Sequence, residues 1–334
     1  MPTPKTAKWI DPDHYIWCGS MVQDGQGKCH LYYSRWPRKE GFQAWVTHSE
    51  VAHAVADQPL GPYRHADVAL PPQGDGFWDG LCTHNPTIHF FEGKYCLFYT
   101  GNRGDGTFWS HRNNQRIGVA VSESPSGPWR RSAAPLIDVS ADPDAPDALA
   151  VANPAVTARP GGGYLMVYKA VARKGELPFG GPVVHLAATA SRPDGPYSKK
   201  LRPIFTKEGA DFPAEDPYIW HQDGQYWAIV KDFNGYFTGA GKSLALFESP
   251  DGFDWKPARH PLVSRTEIIW EGGERQQLAA LERPQLWMKD GRPAVLFCAA
   301  DDTSDSGHSF NVQIPLRHWS GGVCRLPMML DTDA

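Results

Sequence analysis

Two tetrapeptides draw attention first. Residues 214–217 read Ala-Glu-Asp-Pro and residues 281–284 read Leu-Glu-Arg-Pro, so a glutamate stands two residues before a proline twice in one chain. Paired carboxyl groups suit general acid–base work, one giving a proton while another activates water or attacks carbon. Successive strand residues point to opposite faces, so only one of Glu215 and Asp216 is expected to enter a pocket, with the other supporting it. Crowding by a second carboxylate raises the pKa of an acid, and Asp232 is the expected neighbour of Glu215. Asp79, in Gly-Phe-Trp-Asp-Gly, and Glu282 are the remaining candidates. Asp79 reads equally well as a turn cap, and Glu282 as the partner of Arg283 or Lys231 in an ion pair.

The elements that must position these groups repeat. Five segments share a plan of polar opening, apolar strand, glycine-bearing turn and second aromatic strand, as in HNPTIHFFEGKYCLFYTGN and EDPYIWHQDGQYWAIVKD. Asp-Gly and Gly-Gly turns between alternating strands specify hairpins. Pro86, Pro154, Pro217 and Pro284 recur with a period of roughly 65 residues. The second half of each unit repeats as a strand followed by a Pro/Gly turn and an aromatic, as in GVAVSESPSGPW and LAATASRPDGPY, and the fifth copy is cut short. Four strands per unit and five units predict an all-β fold, a five-bladed β-propeller with four-stranded antiparallel blades. The chain 1–334 is expected to be one domain, with blades at about 15–70, 80–138, 150–205, 213–263 and 280–316, the last completed by another segment.

In such a fold the first strand of each blade opens at one mouth of the central channel and the second returns there. The opening residues are Ser20, His84, Asn85, Asn153, Glu215, Asp216, Glu282 and Arg283. The returning ones are Arg35, Asn102, Lys169, Lys231, Asp232, Asp301 and Asp302. Polar groups gathered between apolar strands are costly unless paired or facing water and ligand, so a binding pocket is expected at this mouth. Arg35, Lys169, Lys231 and Arg283 are expected to neutralise the acids, and any cationic excess favours an anionic substrate group such as a uronate, sulfate or phosphate. Trp17, Trp36, Trp78 and Trp109 suit stacking on sugar faces, and of these Trp36 and Trp78 are the stacking candidates chosen. His84 is read as a hydrogen-bonding residue rather than a metal ligand, and no cofactor is expected.

The x-Asp/Asn-Pro openings and the Glu-x-Pro of blade four resemble the five-bladed glycoside hydrolases related to family 43, with families 32, 62, 68, 117 and 130 as relatives. In family 43 a first-blade aspartate is the base, a third-blade aspartate tunes pKa, and a glutamate two residues before a blade-four proline is the acid. The resemblance implies that Glu215 is the general acid, that Asn153 stands where the tuning aspartate would be, and that the base position falls near Gly19 or Ser20, where there is no carboxylate. The second carboxylate must then come from Asp79, Asp216, Asp232 or Glu282, since glycoside hydrolysis by the usual route needs two. The expected function is a glycosidase of carbohydrate or polysaccharide breakdown, exo-acting on a small or terminal sugar unit. A phosphate-dependent phosphorylase and a non-catalytic carbohydrate-binding propeller are the alternatives.

Composition sets the outer bounds. The chain has 334 residues, 41% of them hydrophobic, and a formal net charge of −4, which is too balanced for a nucleic-acid partner. None of the six cysteines (18, 29, 82, 96, 298 and 324) forms a Cys-x-x-Cys pair, so buried free thiols are expected. No window is long enough to span a bilayer, and the N-terminus lacks the apolar stretch of a signal peptide. The chain therefore reads as cytoplasmic with no membrane partner, or as secreted or periplasmic if a leader has been removed.

Overall fold

A computed structural model describes residues 1–303 and 307–316; Cys324 lies outside the described residues. Five four-stranded antiparallel sheets stand around a central axis as propeller blades. Their innermost strands are His14–Gln23, Cys82–Phe91, Ala150–Ala158, Ala214–Gln222 and Ala280–Lys289. The second strands are Cys29–Pro37, Lys94–Asn102, Tyr164–Val171, Gln225–Asp232 and Arg292–Asp301. In blade five the outermost strand is Lys8–Trp9, which pairs with Ser309–Pro315 through Lys8↔Val312 and Trp9↔Asn311.

Hairpin chemistry follows the sequence. At the tips of blades two, four and five, Glu92-Gly93, Asp223-Gly224 and Asp290-Gly291 all have positive φ at both positions. That is the tight hairpin turn whose twist matches the strands it joins.

The core is divided among the gaps between blades. Phe98, Val119, Val156 and Met166 fill the wedge between blades two and three. Tyr218, Trp220, Leu286 and Leu296 fill the one between blades four and five. Ile16, Leu31, Tyr33 and Phe297 join blade five to blade one. Each sheet thus buries both faces, which explains why its inner strands read as nearly continuous apolar runs.

Every inner strand breaks its pairing at the same place. The register shifts between Trp17 and Ser20, His84 and Thr87, Ala152 and Ala155, Glu215 and Tyr218, and Glu282 and Gln285. One residue in each shift has left-handed backbone: Cys18, Asn85, Asn153, Asp216 and Arg283, with φ between 52° and 60°. A β-bulge frees one residue from the ladder and re-aims its side chain. Proline, which has no N–H to lose, is tolerated next to it. This is the physical meaning of the proline period: Pro86, Pro154, Pro217 and Pro284 each follow a bulged residue, and Gly19 takes that place in blade one.

Candidate active site

The five bulged side chains turn toward the axis and bond to one another in a circle. The Cys18 thiol donates to Asn85 Oδ1 (3.0 Å), Asn85 Nδ2 to Asn153 Oδ1 (2.6 Å), and Asn153 Nδ2 to Asp216 Oδ1 (2.8 Å). Arg283 Nη1 donates to the same Asp216 oxygen (3.1 Å), and its guanidinium also reaches Cys18, closing the ring. The first-blade member is therefore Cys18. Ser20, expected in that role, lies past the bulge and accepts a hydrogen bond from the Ile88 amide (3.0 Å). Burial pushes the Cys18 thiol up to about 11, so it is a neutral donor. Asn153 suits its place because its amide both accepts from Asn85 and donates to Asp216; an aspartate there would face Asp216 oxygen to oxygen.

Above this floor opens a cavity of about 200 Å³. The residues one step before the bulge, Trp17, His84, Glu215 and Glu282, form its walls, with Trp36 and Lys169 from the returning strands. Lys169 Nζ lies 2.7 Å from Glu215 Oε1. Lys231 Nζ lies 3.5 Å from Glu215 Oε2 and 2.6 Å from Glu282 Oε1. The two glutamates thus share one ammonium, which holds those carboxylate oxygens within about 6 Å of each other. Lys231 also sits over the Phe233 ring at 4.1 Å.

Electrostatics assign charge states to these groups. Burial works to raise the Glu215 carboxyl, but Lys169 and Lys231 outweigh it and hold the group well below the usual carboxylate range. The upward shift expected for Glu215 falls on Asp216 instead: burial and then the Glu215 charge raise it, against Arg283. His84 is neutral, because burial first and then Lys169 and Arg283 push it down to about 3. Its Nε2 lies 3.1 Å from Gln115 Nε2, which donates to it, so the His84 proton sits on Nδ1. Among the described residues no group of three or more His, Cys, Asp or Glu side chains is placed to hold a metal ion.

The structure brings Trp36, His84, Asn85, Asn153, Lys169, Glu215, Asp216, Lys231, Glu282 and Arg283 together at the mouth. Four candidates lie elsewhere. Asp79 does not overhang the mouth. Its loop packs against Gly101, and the 1% exposed carboxylate accepts from Tyr99 Oη (2.7 Å) and Arg131 Nη1 (3.2 Å). Trp78 stacks on Tyr99 (5.8 Å) over Gly118 and donates to the Ser132 carbonyl. Asp232 faces its own loop rather than Glu215, accepting from the amides of Tyr236, Phe237 and Thr238 at 2.8–3.0 Å. Arg35 is held by Glu50 (2.8 Å) and His65 (3.1 Å) and does not line the cavity. With Arg35 gone, Lys169, Lys231 and Arg283 face Glu215, Glu282 and Asp216 with no cationic excess among the cup's described residues.

Phe42 and Trp45 complete the wall and were not anticipated. Both belong to the insertion that returns blade one's second strand to its third, and their signal was their place in a mouth-side loop. The Trp36 indole N–H is buried without a partner among the described residues, beside the cavity it lines.

No protein-family model matches the sequence, and no curated protein matches it. Solved structures match over nearly the whole chain. A glycoside hydrolase aligns at TM-score 0.70 and 15% identity, over 98% of this chain and 96% of its own. A thermostable family-43 glycoside hydrolase aligns at 0.65 and 13%, over 97% and 95%. Zg3597, a family 117 glycoside hydrolase of the marine bacterium Zobellia galactanivorans, aligns at 0.64 and 18%, over 93% and 86%. Likeness at this identity is likeness of fold: the chain has the five-bladed propeller found in glycoside hydrolases of families 43 and 117.

Proposed function

We propose that the protein is a glycoside hydrolase that removes a terminal sugar, with Glu215 and Glu282 as its two carboxylates. The carrying observation is the pair itself, joined through Lys231 in a cup walled by Trp17, Trp36, Phe42 and Trp45. At ~30 Å³ per water the cavity has room for about seven waters, the scale of one sugar ring. The hydrogen-bonded floor beneath it stops a chain from threading along the axis, which favours a chain end. The solved neighbours include a Bacillus subtilis arabinanase and a β-xylosidase, which supports testing pentosides first. With no cationic excess in the cup, a neutral sugar is favoured over a uronate or sulfate.

The charge of Glu215 favours a different division of labour from the one the family resemblance implies. Glu215, held ionised by two lysines, attacks the anomeric carbon. Glu282, a carboxylate facing Lys231 in the free cup, first takes a proton from solvent and then gives it to the glycosidic oxygen as the carbon–oxygen bond breaks toward the leaving group. Water, deprotonated by Glu282, then displaces Glu215. Facing oxygens within about 6 Å of each other favour this retaining route, because an inverting pair needs room for a water between its carboxylates. The phosphorylase alternative has less support, since each cation in the cup already faces a carboxylate.

The test begins with a panel of 4-nitrophenyl glycosides to find a cleaved substrate. Glu215→Gln should then keep sugar binding and lose about a thousandfold in turnover, and azide should rescue Glu215→Ala as a glycosyl azide. Glu282→Gln should lose far more on a poor leaving group than on 4-nitrophenol, which departs without a proton. Full turnover in Glu215→Gln would overturn the assignment. Sugar binding without cleavage by the wild-type protein would favour the non-catalytic alternative.

A further inference from the structure

The mouth of the cup is not symmetrical in chemistry. The return loops of blades one, two and three carry short helices or turns that lock together on one side. The helix Phe108–Asn113, capped by Thr107, grips the blade-three loop: Arg112 Nη1 donates to the Phe179 carbonyl (2.7 Å) and Asn113 Nδ2 to the Pro178 carbonyl (2.9 Å). From the cup outward runs an unbroken series of rings. Trp45 and His84, both lining the cup, lie 5.3 Å apart; Trp45 to Phe108 is 5.9 Å, Phe108 to Trp109 is 5.1 Å, and Trp109 to Phe179 is 6.1 Å.

The outer end of this series is open to solvent. Trp109 is 37% exposed and Phe179 48%, and their planes meet at 80°. The Arg112 guanidinium stands behind both rings, 5.7 Å from Trp109 and 5.1 Å from Phe179, and is near enough to Glu215 for their charges to interact. Large exposed rings cost hydrophobic free energy that a purely structural loop avoids by turning them inward. Here two hydrogen bonds and two cation–π contacts hold them in place, so the corner is built rather than incidental.

We infer that the Trp109–Phe179 corner is a second sugar-binding station outside the cup, which holds the next residue of a glycan chain while the terminal one occupies the cup. Continuity decides the occupant. The rings begin inside the cavity where the terminal sugar sits, and a chain leaving along that wall crosses the exposed corner joined to it by ring contacts. An apolar sugar face stacks on a ring, and the Arg112 guanidinium behind the rings holds them in place for it. The substrate is then an oligosaccharide, not a sugar carrying a small aglycone. This rests on the glycosidase reading for the cup's role, but binding at the corner does not require turnover.

Two arms test it with Trp109→Ala and Phe179→Ala, both exposed positions, and with Trp109→Phe as the conservative control. Native gels containing arabinan, xylan or galactan measure binding. The polysaccharide that retards the wild-type chain should retard both alanine variants much less, with Trp109→Phe near wild type. In the second arm, KM for a trisaccharide of the sugar cleaved best should rise about tenfold, with kcat/KM on its 4-nitrophenyl glycoside unchanged. Equal retardation of wild type and variants, no retardation of the wild-type chain by any of the three, or equal losses on the short and long substrates would each overturn the inference. If nothing is cleaved, the glycosidase reading falls while the gels still decide the corner.

Discussion

At the scale of single residues, the cup is governed by one lysine. Lys231 faces Glu215 and Glu282 together, and its own charge is held by both. Replacing it with methionine leaves two carboxylates within about 6 Å with no ammonium between them, and a like charge at that range disfavours ionisation. The Glu215 carboxyl then takes up a proton at higher pH than in the wild type. The acid limb of the kcat/KM profile should therefore move upward by about one pH unit or more; a limb that stays in place would mean that Lys231 does not set the charge of Glu215. The same reasoning gives stability a direction. Because Glu215 is depressed in the folded protein, its contribution is present above its unfolded value of 4.5 and is lost as pH falls below that. Asp216, raised by burial, has the opposite slope: its contribution diminishes as pH rises above 3.8.

At the scale of elements, the repeated bulge does the positioning, and it also explains what the sequence made legible. The prolines marked it in four blades because a residue without an N–H sits comfortably there, so Asn85, Asn153, Asp216 and Arg283 were readable from spacing. Blade one has Gly19 instead of proline, and without that mark the ring member was misplaced to Ser20 rather than Cys18. Asp79 and Asp232 were harder still. A carboxylate that caps a loop and one that lines a pocket have the same strand-end address, and only the folded loop decides between them. Trp45 and Phe42 stayed hidden because an insertion obeys no period. The floor ring predicts that Asn153→Asp is costly at neutral pH. Its new carboxylate meets Asp216 at 2.8 Å, and two such groups cannot both ionise. Denaturant midpoints should show a loss of about 2 kcal/mol or more at pH 7 and a smaller loss at pH 5, where the pair shares a proton. Equal losses at both would argue against charge repulsion as the cause.

At the scale of the whole molecule, five wedges of apolar packing hold the blades, and the circle is closed by the pairing of Lys8–Trp9 with blade five. Trp9 also meets Tyr33 of blade one edge-on at 4.4 Å, so it touches both sides of the seam. Trp9→Ala should cost about 2 kcal/mol, and removal of residues 1–10 should cost more by adding an unpaired sheet edge. Thermal unfolding measures both, and an unchanged midpoint in the truncated chain would show that the seam is held by the other wedges alone. The seam also ties assembly to protein synthesis. The strand Lys8–Trp9 has no pairing partner until strand 309–315, made some three hundred residues later, has emerged. A stalled or truncated product therefore carries an unpaired, tryptophan-bearing strand that proteases can recognise, and the fold inspects its own completeness by whether that strand has been put away.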